Sequence, residues 1–101
     1  MKYNIKYIPS ANRDLAAVYN YLEEYPQKRI RIFSKIDLAL TRLAYMPKMF
    51  PIYEAAPQFR RIVIEDYLIF YKLIESDELI EIHRILYAKM DIQKQLFPSA
   101  P

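Results

Sequence analysis

The sequence predicts an α+β fold in the order β-α-α-β-β-β, with an N-terminal strand and an antiparallel two-helix hairpin packed on an antiparallel β-sheet. Three observations predict it. Residues 3–8 alternate and are rich in tyrosine and isoleucine. Residues 11–46 carry apolar side chains at spacings of three and four, interrupted at Pro26. After a stretch with three prolines, Pro47, Pro51 and Pro57, three strand-like runs follow with short polar breaks.

The first strand is expected to end at Pro9, with Ser10 and Asn12 offering helix-capping oxygens. From Ala11 the apolar positions are Leu15, Val18, Tyr19, Leu22 and Tyr25, and Pro26 is expected to close that helix. A second helix is expected over 27–46. Its apolar stripe is Phe33, Ile36, Leu40 and Leu43 with Ala39 alongside, and its outer face carries Lys28, Arg29, Arg31, Lys35 and Arg42. So short a break between the helices implies an antiparallel hairpin. The strands are expected over 59–65, 67–74 and 79–87, the second nearly all apolar and therefore central. With no glycine in the chain, the turns at 65–66 and 75–78 are expected to use Asp or Ser chemistry. Residues 89–96 read as a short helix, giving one domain over 1–97 and a frayed tail over 98–101.

Composition excludes several classes of function. Hydrophobic residues make up 53% of the 101, enough for a core and too many for a disordered chain. The lack of glycine rules out P-loop and dinucleotide-binding loops, which need its positive φ and close backbone approach. With no cysteine and one histidine, disulfides, thiolate chemistry and a metal centre are not expected, and no cofactor is implied. No apolar run is long enough to span a bilayer and the N-terminus has no apolar leader core, so a cytoplasmic protein away from membranes is expected. The net charge of +3 permits an acidic or polyanionic partner. Ten tyrosines exceed what a core requires and imply rings at boundaries or binding surfaces.

Four segments, in this order, resemble the RelE/ParE toxin superfamily of type II toxin–antitoxin systems: PSANRDLAAVYNYL at 9–22, LALTRLAYMP at 38–47, FRRIVIEDYLIFYKL at 59–73 and IEIHRILYAKMDI at 80–92. The resemblance spans residues 3–96 and implies a growth-inhibiting toxin with a cognate antitoxin as partner. One branch of the superfamily cleaves mRNA on the ribosome, and the ParE-like branch poisons DNA gyrase without a hydrolytic site. The mRNA-cleaving branch commonly has arginine where Leu68 stands and histidine where Tyr87 stands. Both departures favour the ParE-like branch. The second is the weaker sign, because ParE-like members also often carry that histidine.

Cleavage at a 2′-hydroxyl needs a base, a cation for the crowded phosphate and an acid for the leaving oxygen. The residues available for that role are Arg61, His83, Arg84, Tyr87 and Lys89. Strict alternation would put Glu81, His83, Ile85 and Tyr87 on one face, and so His83 with Tyr87 in one site beside Arg61. The plainer reading is a half-exposed strand histidine near Glu81 and a boundary tyrosine. For target or antitoxin contact the candidates are Arg60, Arg61, Arg84, Tyr87, Lys89 and Asp91. Arg60 and Arg61 must point to opposite faces. The basic helix face of Lys28, Arg29, Arg31 and Lys35 suits an acidic antitoxin, gyrase or nucleic acid, and equally a plain solvated surface. The alternatives to gyrase poisoning are a ribosome-dependent mRNA endoribonuclease and a non-toxic relic that still binds an antitoxin.

Overall fold

The computed structural model describes residues 2–98; the frayed tail expected over 98–101 lies, from residue 99 onward, outside the described residues. The elements are β1 (Asn4–Tyr7), α1 (Pro9–Tyr21), a 3-10 turn (Leu22–Glu24), α2 (Pro26–Tyr45), β2 (Arg60–Ile64), β3 (Tyr67–Ile74), a second 3-10 turn (Glu75–Asp77), β4 (Leu79–Tyr87) and α3 (Ile92–Leu96). The chain is the expected α+β arrangement. The four strands form one sheet in the order β1-β4-β3-β2, so the apolar β3 is interior, as its composition requires.

The sheet is mixed, where an antiparallel one was expected. β2, β3 and β4 run antiparallel to their neighbours, but β1 lies parallel to β4, with Asn4 opposite Leu79 and Tyr7 opposite Ile82. Alternation in β1 specifies which side chains face the core and says nothing of strand direction. Direction follows from the helical hairpin, which starts at the end of β1 and lies over one sheet face.

Both helix boundaries move relative to the sequence expectation, for one reason. Pro9 and Pro26 each occupy the first turn of a helix, where the missing N–H costs nothing and the fixed φ suits the helix. Pro26 therefore opens α2; α1 ends in the 3-10 turn before it. Neither Ser10 nor Asn12 caps α1, and Ser10 Oγ instead donates to the His83 carbonyl at 2.8 Å. The positions without glycine are also solved differently. Among the described residues, those at positive φ are Glu65 (52°) and Glu78 (48°), one in each hairpin turn.

Two apolar clusters sit on opposite faces of the sheet. Under the helices, Ile62, Ile64, Tyr67, Ile69, Tyr71, Ile80, Ile82 and Ile85 pack against Ala11, Val18, Leu22, Ile32, Ile36, Ala39 and Leu43. The buried line of α2 thus runs through Ile32, with the expected Phe33 and Leu40 half-buried at its flank; the Phe33 ring stacks edge-on to Tyr19 at 5.4 Å. Burying each such isoleucine contributes about 1.5–3 kcal/mol over leaving it exposed. On the far face Ala56, Phe59, Phe70 and Leu86 form a smaller cluster, covered by the loop before β2 and by Ile92 and Leu96 of α3. Asp91 caps α3 by accepting the Lys94 amide, and the Phe97 ring lies 6.3 Å from Phe59.

Candidate functional site

The far sheet face gathers most of the chemistry-bearing side chains. Ile62 and Ile64 point to the helices, so Arg61 points away from them, and its guanidinium lies 5.4 Å from the centre of the Tyr53 ring. Its Nε is buried without a hydrogen-bond partner. On β3, Lys72 Nζ stands 5.1 Å from the centre of the Phe59 ring. On β4, His83 meets the same Phe59 ring edge-on at 5.4 Å, and its Nε2 is 3.2 Å from Glu81 Oε1. Arg60 points the other way and donates Nη1 to the carbonyls of Phe50, at 2.8 Å, and Lys48, at 3.3 Å. The two arginines do take opposite faces.

A β-bulge divides the remaining candidates. Tyr71 pairs with Ile82 while Phe70 pairs with Arg84, so His83 has no partner on β3. The extra residue shifts the phase of the alternation. Glu81 and His83 face away from the helices, whereas Ile85 and Tyr87 face toward them. Tyr87 lies opposite Tyr67, with ring centres 6.0 Å apart. The single face expected for Glu81, His83, Ile85 and Tyr87 therefore does not form, and His83 and Tyr87 do not share a site. Strict alternation cannot foresee a bulge that has no glycine to mark it. Lys89 is exposed in the turn beyond β4, and Leu68 is half-buried against the far-face cluster.

Arg84 is committed elsewhere. Because β1 stops opposite Ile82, the rest of that edge of β4 has no strand beside it, and α1 covers its first part. Asp14 Oδ2 accepts the Ile85 amide at 3.0 Å, and the same carboxylate takes Arg84 Nε at 2.6 Å and Nη2 at 3.1 Å. Arg84 Nη1 also donates to the Gln95 carbonyl in α3 at 2.7 Å. Beyond this clamp runs an apolar groove of about 380 Å³ between α1 and β4, with Ala17, Tyr21, Tyr67, Tyr87 and Met90 among its walls. Burial first, and then the neighbouring Tyr21, Asp66 and Tyr87, push the Tyr67 phenol above its ordinary value.

The basic helix face is largely neutralised from within. Glu65 accepts Arg31 Nε at 2.7 Å and Nη2 at 2.9 Å, and Lys35 Nζ at 3.0 Å; Lys28 reaches Asp66 at 3.5 Å. The hydrogen bonds from Arg31 and Lys35 hold the Glu65 carboxyl down at about 2. Arg29 lies over the Tyr19 ring at 4.2 Å. Arg31, Lys35 and Lys28 thus latch α2 onto the β2–β3 turn.

Sequence reasoning missed Asp14, Tyr53, Phe59 and Lys72 as members of these sites. Lys72 carried a signal, being the one charged residue in an otherwise apolar strand, and Asp14 is the acidic residue of the resembling stretch at 9–22. Among the described residues no group of three His, Cys, Asp or Glu is placed to hold a metal, and no helix is long and apolar enough to cross a membrane.

The architecture is that of RelE/ParE toxins. It matches the chromosomal ParDE toxin–antitoxin system of Pseudomonas aeruginosa with a TM-score of 0.69 at 19% identity, over 87% of this chain and 98% of that one. It matches the RelBE2 toxin–antitoxin complex of Mycobacterium tuberculosis at 0.62 and 16%, over 86% and 99% of the two chains. The Escherichia coli DinJ-YafQ toxin–antitoxin complex gives 0.58 and 20%, over 86% and 93%. A sequence profile for the ParE toxin of the type II toxin–antitoxin system parDE matches residues 5–92, and the chain belongs to that family. No curated protein sequence gave a match.

Proposed function

We propose that this toxin arrests growth in the cytoplasm by binding its target, in the ParE manner with DNA gyrase as that target, and that a cognate antitoxin neutralises it. One observation carries the choice of binding over cleavage. The groups that RNA cleavage would use are dispersed: Arg61 and His83 lie on one face, Tyr87 on the other, and Arg84 is held by Asp14. General acid–base catalysis needs its groups within hydrogen-bond reach of one reacting phosphate, and a bulge separates these. The three neighbouring structures are all toxin–antitoxin systems or complexes, which supports an antitoxin partner.

Induction in a bacterial host tests the reading. DNA synthesis is expected to stop first with a DNA-damage response, and His83→Ala and Tyr87→Phe are each expected to stay toxic. Arrest of protein synthesis first, with mRNAs cut within codons, assigns the chain to the endoribonuclease branch instead. Harmless expression in several hosts, with antitoxin binding retained, makes it a relic.

A further inference from the structure

We infer that the toxin holds its target protein through the bare outer edge of β1, pairing it with an extended target strand. That strand runs antiparallel to Ile5–Tyr7 and sets an acidic residue opposite Lys6. The identity of the partner rests on the target-binding reading; its form rests on the edge and the groove beside it.

β1 closes the sheet on one side, so its outer edge has no strand beside it. The Asn4 amide donates to the Glu78 carbonyl and the Ile8 amide to that of Ile82, both toward β4. Along a strand, groups two residues apart point the same way, so Lys6 also faces β4. Ile5 and Tyr7 therefore turn both N–H and C=O outward, and none of those four groups has a partner among the described residues. The open stretch is bounded at both ends. The Tyr3 amide donates to the Ala44 carbonyl of α2 at 2.7 Å, and Pro9 starts α1. The opposite edge of the sheet is partly taken already. There the Arg61 amide donates to the Pro51 carbonyl, and the Phe59 carbonyl accepts the Tyr53 amide.

An antiparallel strand meets all four groups with two residues, one opposite Ile5 and one opposite Tyr7, each donating and accepting. A parallel strand needs three residues for the same bonds and pairs slightly less stably. A groove of about 770 Å³ runs between this edge and α2, with Tyr3, Asp37, Leu40, Thr41 and Tyr45 among its walls. Ile5 and Tyr7 point to the helix side, so the residues opposite them point into that groove. Its mixed walls suit β-branched side chains such as valine and threonine. The residue opposite Lys6 lies on the far face, in a pair without hydrogen bonds, where cross-strand side chains come closest.

Charge chooses the occupant. Lys6 is exposed and forms no ion pair among the described residues. Its neighbour across on β4, Glu81, is engaged by His83 at 3.2 Å. A second copy of the chain, paired about a twofold axis at this edge, would set the two copies of Lys6 directly opposite each other. Like charges so placed are destabilising, whereas an acid in that position attracts the lysine. The lysine that keeps the edge from pairing with itself thus selects an acidic strand.

The test uses an acetylated, amidated heptapeptide, Ser-Thr-Val-Glu-Val-Thr-Ser, against the whole isotope-labelled chain. Slowed exchange of the Ile5 and Tyr7 amides, with that of Lys6 unchanged, is the expected result. Methylating either valine amide of the peptide removes a donor to β1 and is expected to weaken binding about tenfold. Methylating the glutamate amide, which faces away from β1, is expected to leave binding unchanged. Lysine in place of that glutamate is expected to weaken binding about fivefold, and Lys6→Glu is expected to invert the order of the two peptides. No binding at millimolar peptide, unprotected Ile5 and Tyr7 amides, or an unchanged peptide order with Lys6→Glu each overturn the proposal. So does a dimer of the parent chain that protects the same two amides, because the edge then belongs to a second copy.

In cells, Thr41→Trp fills the groove from an exposed helix position and is expected to abolish growth arrest. The purified variant is expected to keep its helical dichroism and to bind the antitoxin encoded beside it. Undiminished arrest by this variant overturns the edge as the target surface while leaving the target-binding reading intact. Arrest that escapes the antitoxin assigns the edge to the antitoxin and overturns the proposal too. A parent chain that arrests nothing overturns the toxin reading, and with it the target as occupant; the peptide experiment then decides the edge alone.

Discussion

Asp14 and Arg84 form a two-pronged ion pair that joins the first helix to the last strand across 70 residues of sequence. Both side chains are mostly shielded, at 16% and 22% exposure, and Asp14 also carries the Ile85 amide. Removing one member strands the other: Asp14→Ala leaves a half-buried guanidinium and an uncapped backbone amide. Such groups cost about 1–3 kcal/mol each when left without partners, so a loss of at least about 2 kcal/mol is expected in urea unfolding. Replacing both residues by leucine is expected to cost less than the sum of the single changes, by more than about 1 kcal/mol. Strict additivity would show that the pair is incidental.

The Glu65 latch gives stability a defined acid dependence. Its folded carboxyl sits at about 2 against an ordinary 4.5, because Arg31 and then Lys35 hydrogen-bond the charged form. Below 4.5 the unfolded chain takes up a proton that the folded chain refuses, so the latch's contribution is intact above pH 4.5 and fades as the pH falls toward 2. Thermal unfolding across this window is expected to show a smaller acid-induced drop for Glu65→Gln than for the parent. Added salt is expected to blunt the difference, since both cations are largely solvent-exposed. Parallel pH profiles for the two proteins would refute the latch.

Glu78 makes the opposite case at the other hairpin. It holds φ at 48°, a conformation that costs a residue with a Cβ about 1–2 kcal/mol, and it forms no ion pair among the described residues. Its amide donates to Glu75 and its carbonyl accepts the Asn4 amide, so the backbone there is fully used. Glycine would remove the steric cost and give back part of the gain in unfolded-state entropy. Glu78→Gly is expected to stabilise the chain by about 0.5–1 kcal/mol, read as a higher urea midpoint at unchanged slope. A lower midpoint would mean that the glutamate side chain contributes in its own right.

These cases show what was and was not legible in the sequence. Element types and order follow from local periodicity and from proline, which is why β3 and β4 fall where alternation and apolar runs place them. The parallel pairing of β1 and the bulge at His83 depend on how distant segments meet, and no local pattern encodes either. Candidate arginines were recognisable as residues, but their partners were not. Arg84 and Arg31 looked available because Asp14 and Glu65 approach them only in three dimensions. Sequence alone overstated the free charge for that reason.

The short helix α3 closes the far face of the sheet, and its removal tests how far the two cores stand apart. Ile92 and Leu96 lie half-buried on Ala56, Phe59, Phe70 and Leu86, Gln93 Nε2 donates to the Ala55 carbonyl at 3.0 Å, and the Gln95 carbonyl takes Arg84. The cluster under α1 and α2 includes none of these residues. A chain ending at Met90 is therefore expected to fold with its helix-side core intact, losing about 2 kcal/mol for two half-buried aliphatic side chains. The uncovered Phe70 and Leu86 are expected to bind a hydrophobic dye and to lower solubility. Cooperative unfolding with unchanged helical dichroism per remaining residue, apart from that due to α3, is the expected readout. Complete unfolding of the truncated chain would show instead that the far-face cluster and the helix-side core are one cooperative unit.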